Sequence, residues 1–385
     1  MFKSKIYINL LHLTILIVLF FLILSNSFAK EKEIIFFQSN NLKLKAKVLV
    51  TGLNYPWSLA FLPNGHILVT EKVGKLRIIK KNFYLDPTPV QGLPVIRSSG
   101  QGGLFDIILH PDYKSNDWIY FSYNGKNGRT WGTELARAKL KNQHLTNLQV
   151  LFRLEPKTKS NRHFGGKIIF DEKNFLFLTT GDRGERKRAQ NINDHAGSII
   201  RLLDNGQTPV SNPFYGSDEG KDEIYSFGHR NIQGLDISPL SGELFAHEHG
   251  PQGGDELNII KPGANYGWPI VTFGVNYGIG SKIGIGIKHK GMKNPIYKWV
   301  PSIATSGMTF ITGNHFKEWA KDILIGSLKA QKLVKIRIMD GRVTDHTIII
   351  DKLIGRIRNV KIGPDGYIYI LTDEKNGKLI QISKQ

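Results

Sequence analysis

The sequence predicts an all-β fold, a six-bladed β-propeller with its functional site at the top of the central channel. Three observations predict it. A turn-plus-strand phrase recurs six times along the chain. Forty glycines and sixteen prolines supply the turns that such a repeat demands. No stretch carries the sustained i, i+3, i+4 apolar pattern of a long amphipathic helix.

The clearest copies stand near the two ends. Pro63-Asn64-Gly65 leads into His66-Ile67-Leu68-Val69-Thr70, then Gly74 and a second strand at Leu76-Arg77-Ile78-Ile79. Pro364-Asp365-Gly366 leads into Tyr367-Ile368-Tyr369-Ile370-Leu371, then Gly377 and Leu379-Ile380-Gln381-Ile382. Both read as hairpins. Fainter copies begin at Trp118, Phe175, Glu243 and Ile323, so the six are separated by roughly 45 to 80 residues. A blade of four short strands needs about 40–50 residues, and loops take up the excess. A parallel β-helix or a pair of sandwiches is the competing architecture. A ring must close, and pairing N- and C-terminal strands in one blade is the expected device.

The N-terminus stands apart. Lys3 and Lys5 precede an apolar run from Leu10 to Leu24, and Ser27-Phe28-Ala29 offers small residues at the positions a signal peptidase reads. Residues 1–29 are therefore expected to be an export signal, and 30–385 a single propeller domain in the periplasm or outside the cell. The competing reading is an uncleaved anchor, for which the apolar run is short. The chain has no cysteine. That excludes disulfides, a thiolate nucleophile and Cys-ligated metals. The formal charge of +20 is spread along the chain and, after the signal, is dense only from Arg183 to Arg188. With an export signal, this argues for attraction to an anionic cofactor or envelope surface, not to nucleic acid.

Function in a propeller resides in its loops and channel. The polar motifs there are Gly100-Gln101-Gly102-Gly103, His163-Phe164-Gly165-Gly166, Gly181-Asp182-Arg183-Gly184 and His229-Arg230-Asn231-Ile232-Gln233-Gly234. They continue with His249-Gly250-Pro251-Gln252-Gly253-Gly254-Asp255-Glu256, Asn265-Tyr266-Gly267-Trp268-Pro269, Ser327-Leu328-Lys329 and Arg356-Ile357-Arg358-Asn359. In this order, across nearly the whole mature chain, the set resembles the soluble glucose/sorbosone dehydrogenase family. Its members are six-bladed propellers that use pyrroloquinoline quinone (PQQ) and Ca2+.

The resemblance implies an oxidoreductase that converts the C1 hydroxyl of aldose sugars to the lactone by hydride transfer to PQQ. His163 matches the general base, a role that suits a neutral imidazole. Asp182 matches the carboxylate that orients it. Arg230 is implied in catalysis and, with Gln101, Asn231, Lys329, Arg356 and Arg358, in binding the cofactor, since cations suit a tricarboxylate quinone. Gly250 and Pro251 match backbone carbonyls that hold the calcium beside PQQ. Asp255, Glu256 and Tyr266 match the surroundings of structural calcium, where oxygen donors suit a hard cation. The implied partners are an aldose and an envelope electron acceptor, with the protein a monomer or homodimer.

Other readings remain open at this level. His247 and His249 share a strand face, where an i, i+2 pair can bind zinc, but no third ligand is suitably spaced. They are expected to be strand residues, and His195 and His229 structural. Residues 279–293 carry no recognisable signature. A calcium-dependent lactone hydrolase would need carboxylates around the channel metal, where the candidates here are cationic. A non-catalytic glycan- or protein-binding propeller would leave the grouping of His163, Arg230 and the late cations unexplained.

Overall fold

The computed structural model describes residues 33–39 and 41–385. The expected export signal lies outside the described residues. Strands β1 (Ile34–Ser39) and β2 (Leu42–Leu53) open the described chain. A three-stranded sheet follows: β3 (Pro56–Phe61), β4 (Ile67–Glu71) and β5 (Lys75–Ile79). Four-stranded sheets come next. The first holds β6 (Leu104–Leu109), β7 (Trp118–Asn127), β8 (Thr130–Lys141) and β9 (His144–Arg153). The second holds β10 (Gly165–Phe170), β11 (Leu176–Thr180), β12 (Ser198–Leu202) and β13 (Ile224–Phe227). The third holds β14 (Ile232–Ile237), β15 (Leu244–Glu248), β16 (Asp255–Ile260) and β17 (Tyr297–Trp299). The fourth holds β18 (Thr305–Phe310), β19 (Ile323–Ser327), β20 (Lys332–Met339) and β21 (Arg342–Asp351). The chain ends with β22 (Ile357–Ile362), β23 (Ile368–Thr372) and β24 (Gly377–Lys384).

These sheets are the six blades. Their first strands contact one another in sequence, β3 to β6, β10, β14, β18 and β22, and β22 returns to β3. The six repeats of the sequence fall on β4, β7, β11, β15, β19 and β23, the second strand of each blade. The reason is burial on both faces. Strands β4, β11, β15, β19 and β23 are buried throughout, covered by the blades on either side. Between neighbouring blades lie apolar clusters such as Leu68, Leu76, Leu104 and Ile119, or Leu324, Leu333, Ile357 and Ile370.

Closure follows the expected device, through a strand that the repeat did not reveal. In the closing blade the order is β1-β2-β24-β23-β22. Ala46 pairs with Ile382 and Val48 with Ile380. The signal lies in the alternation of Lys43, Lys45 and Lys47 with Leu44, Ala46 and Val48: the former reach toward solvent and the latter are buried. The hairpin containing β4 belongs instead to the three-stranded blade, where bridges from Leu76 to Val90 and Ile79 to Leu85 stand in for a fourth strand.

Each first strand is bulged at its start. The register shifts between Pro56 and Ser58, Leu104 and Ile107, Gly165 and Ile168, Ile232 and Gly234, Thr305 and Met308, and Ile357 and Asn359. A bulge bends the strand and re-aims its side chains. All six occur at one end of the ring, the end that Gln101, His163, Arg230 and Arg356 approach in the chain. Buried polar groups bind these strands together. Asp106 takes the Ser58 hydroxyl and the Ile168 N–H (3.0 Å), and pairs with Lys167 at 2.7 Å. Asp236 accepts the Phe310 N–H at 2.8 Å.

Ring closure predicts where stability is concentrated. Leu44 is fully buried on β2 among the last blades' side chains. Leu44→Ala is expected to lower the urea midpoint by an amount equivalent to about 2–5 kcal/mol, with an unchanged fold by circular dichroism.

Candidate active site

The bulged rim gathers the predicted residues around two adjoining cavities. The larger, about 790 Å³, is lined by His163, Asp182, Arg230, Gly250, Pro251 and Lys329. The smaller, about 220 Å³, is lined by Asn231, Gln233, Arg356, Arg358 and Asp373. Gln101 and His249 line both.

His163 lies just before β10 with φ at +49°, followed by Gly165 at +65°. Its neighbour across the rim is the turn after β11. A Cβ at Gly181 would lie 2.3 Å from the His163 carbonyl oxygen, so glycine permits the approach that brings Asp182 alongside. His163 Nδ1 stands 2.6 Å from Asp182 Oδ1. That oxygen also accepts the Gly184 N–H at 2.7 Å, while Oδ2 accepts Trp268 Nε1–H at 2.7 Å. Burial opposes ionisation of Asp182, but its hydrogen bonds and the nearby cations outweigh it and hold the carboxyl below its usual range. Burial drives the His163 pKa down. Asp182 pulls it back only in part, while Arg230 and Arg183 push the same way as burial. The imidazole is thus neutral near pH 7. Its proton lies on Nδ1, facing the carboxylate, which leaves Nε2 as the basic nitrogen.

Three groups fix this pair from behind. Gln101 Oε1 accepts the His163 N–H at 2.7 Å. Arg183 is fully buried and donates to the carbonyls of Ser160, Arg162 and His163, with its guanidinium 3.6 Å from the Phe164 ring centre. Asp182 N–H donates to the Arg230 carbonyl at 2.9 Å. Asp182 and Arg230 are therefore joined through the backbone.

Arg230 is nearly buried, and Nη1 donates to the His249 carbonyl at 3.1 Å. It forms no ion pair among the described residues. Arg356 and Arg358 both reach one carboxylate, Asp373, at 2.8 and 3.3 Å. Asn231 Oδ1 accepts the Gly165 N–H at 3.1 Å. Lys329 stands exposed at the rim. Cations outnumber carboxylates here, so the cavities are suited to an anionic guest.

The residues expected near calcium divide. Asp255 is buried, and its carboxylate is engaged by Gly250 N–H (3.0 Å), Ser302 Oγ–H (2.8 Å) and Ala304 N–H (2.8 Å). It clasps the Gly250–Pro251 loop. Glu256 and Tyr266 line a narrow space of about 10 Å³ together with Glu248. Burial first, and the Glu248 charge second, hold the Glu256 pKa well above the carboxylate range. The Tyr266 hydroxyl is spent on the backbone, donating to Ile259 O at 2.6 Å and accepting Lys261 N–H at 2.9 Å. Only its carbonyl is left to face a cation. Pro251 O accepts the Tyr277 hydroxyl at 3.1 Å.

His229 and His195 are buried and hydrogen-bonded within the fold. His229 bridges Glu248 Oε1 (2.9 Å) and Ser226 Oγ (3.0 Å), and His195 Nδ1 accepts the Glu155 N–H at 3.0 Å. His247 and His249 do not converge with a third ligand: among the described residues no group of three or more His, Cys, Asp or Glu is arranged for a metal ion. Sequence reasoning gave no role to Trp268, Asp373, Arg183 or Tyr277. Trp268 stood inside a quoted motif. Asp373 sits in an ordinary strand end, and only the fold shows that two arginines reach it.

The sequence pattern of the glucose/sorbosone dehydrogenase family matches residues 53–381. Aldose sugar dehydrogenase YliI of Escherichia coli strain K12 is 39% identical over 347 residues, covering 88% of this chain and 93% of its own. The crystal structure of the soluble E. coli aldose sugar dehydrogenase in its apo-form superposes with a TM-score of 0.86 at 38% identity, covering 89% of this chain and all of that one. The PQQ-bound aldose sugar dehydrogenase of Streptomyces coelicolor superposes with a TM-score of 0.72 at 26% identity, covering 92% and 99%.

The pair geometry predicts a titration. The His163 ring protons, followed by NMR in the free protein, are expected to titrate with a midpoint below 6.5. Asp182→Asn removes the one neighbouring charge that raises this pKa, so it is expected to move the midpoint lower still.

Proposed function

The chain belongs to the glucose/sorbosone dehydrogenase family, and from that premise we propose that it is an exported, PQQ- and calcium-dependent enzyme that oxidises the C1 hydroxyl of aldose sugars to the lactone. The observation that carries this reading is the meeting, at one cavity, of a neutral His163 oriented by Asp182 and a nearly buried Arg230 that has no ion-pair partner among the described residues.

The residues fit the cofactor. A planar tricarboxylate quinone answers the excess of guanidinium groups, and Arg230, Asn231, Gln101, Lys329, Arg356 and Arg358 would hold it. Gly250 and Pro251 would present carbonyls to the calcium beside it. A second dication would relieve the like-charge repulsion of Glu248 and Glu256 in their narrow space, with the Tyr266 carbonyl adding an oxygen. Asp255 acts in this reading through the loop that it clasps. When bound, PQQ would accept the hydride and calcium would polarise its quinone oxygen.

The chain's own groups handle the proton. His163 Nε2 takes the C1 hydroxyl proton as the hydride departs from the same carbon. Asp182 keeps Nδ1–H aimed at itself and stabilises the imidazolium that forms. Trp268 and Gly184 hold the carboxylate so that it does not swing toward solvent. Arg230 keeps His163 neutral beforehand and faces the anionic end of the reaction. Reducing equivalents then pass to an acceptor in the cell envelope. A lactone hydrolase would require acidic side chains where this cavity presents arginine and lysine.

Reconstitution tests the reading. Purified protein with PQQ and calcium is expected to reduce a dye with a panel of aldoses, and failure to bind PQQ at micromolar concentration would refute the proposal. His163→Ala is expected to keep PQQ binding but lose about 10²–10⁴-fold in kcat. The acid limb of kcat/KM is expected to fall below pH 6.5, in step with the NMR midpoint. That is the direction for a base that works unprotonated with a depressed pKa.

A further inference from the structure

The connection between β16 and β17 contains the segment to which no motif gave a role. Its composition is unusual for this chain. From Leu257 to Lys317 there is no Asp or Glu, and there are seven Lys. Within it the structure exposes apolar side chains: Ile279 is 90% exposed, Tyr277 67%, Ile285 60% and Ile287 50%. Lys282, Lys288, Lys290 and Lys293 are exposed among them. Val300, 61% exposed, lies against Gly253 of the cavity-lining loop.

The segment is held in place. Val275 bridges both Gln252 and Lys282, and Val271 pairs with Gly286. Arg186 Nη2 donates to Asn276 Oδ1 at 2.7 Å. Ile283 alone of its isoleucines turns inward, packing with Ala189 and Trp268, the tryptophan that holds Asp182. Tyr277 lines the larger cavity. The segment is thus a pinned scaffold at the cavity mouth that keeps three isoleucines in water.

We infer that this segment docks the protein on a phospholipid bilayer containing anionic lipid, with Ile279, Ile285 and Ile287 entering the interface and the four lysines facing the headgroups. The pattern decides among partners. The centre of a protein–protein interface is depleted of lysine and contiguous in its apolar surface. Here the exposed isoleucines Ile279, Ile285 and Ile287 lie beside Lys282, Lys288, Lys290 and Lys293 along a glycine-rich loop, a composition that suits insertion at a charged lipid surface. The absence of any carboxylate over the whole connection removes repulsion from such a surface. Docked this way, the cavity mouth faces the lipid. The inference does not depend on the cofactor reading.

The chain has no cysteine, so Ile285→Cys creates a single labelling site. Leu240→Cys, 59% exposed in the turn after β14 and hence at the opposite end of the ring, is the control. Both are labelled in the full chain with a polarity-sensitive fluorophore and titrated, without cofactor, with vesicles of phosphatidylcholine alone or mixed with phosphatidylglycerol. A blue shift at position 285 only with the anionic vesicles, and none at 240, is expected. Adding Lys282→Gln, Lys288→Gln and Lys290→Gln is expected to weaken that partition by roughly a hundredfold, at about fivefold per lysine near an anionic surface. No shift at 285, or an equal shift at 240, overturns the inference. So does vesicle binding that leaves the 285 label in water, which would assign attachment to the N-terminal apolar segment or to a protein partner.

Discussion

Everything in this molecule depends on closing the ring. A single blade has two apolar faces and cannot bury either alone, so each is stable only between two neighbours. The arrangement is satisfied at the last step by β2 pairing with β24. Closure also sets the geometry of function. It brings the six bulged strand starts to one rim, where loops far apart in sequence meet around a common axis.

At that rim the deciding contest is between desolvation and charge. Burial disfavours the charged form of both His163 and Asp182. The carboxylate overcomes it through hydrogen bonds from His163, Gly184 and Trp268, whereas the imidazole, beside Arg230 and Arg183, does not. The pair therefore rests as neutral base and ionised partner, the state a proton acceptor needs. Arg183 supports this state in a second way. Spent on three backbone carbonyls, it fixes the loop that carries His163 in its left-handed turn.

The same rim bears two surfaces of different character. Inside, guanidinium groups face a cavity, and Asp373 neutralises only part of their charge. Outside, isoleucines and lysines project from a pinned loop. Trp268 touches both, with its indole N–H on Asp182 and its ring against Ile283. A single side chain thus joins the outer loop to the orientation of the base.

Much of this was legible in the residues. Two-sided burial gives the second strand of each blade a continuous apolar run, so six such runs announced six blades. The motif order carried the family and brought His163, Asp182, Arg230 and Gln101 into view. The Lys43–Val48 alternation was equally readable but lay outside the repeat, because β2 joins the closing blade between β24 and β1 and turns one side to solvent. What the tertiary structure alone decided were meetings across blades: Asp373 with two arginines, Trp268 with Asp182, Asp255 with the Gly250 loop and not with an open pocket, and Tyr277 on Pro251. Sequence determines which face of a strand is buried because that is local periodicity. Which polar groups converge depends on the ring's closure and its bulges, and no local pattern contains either.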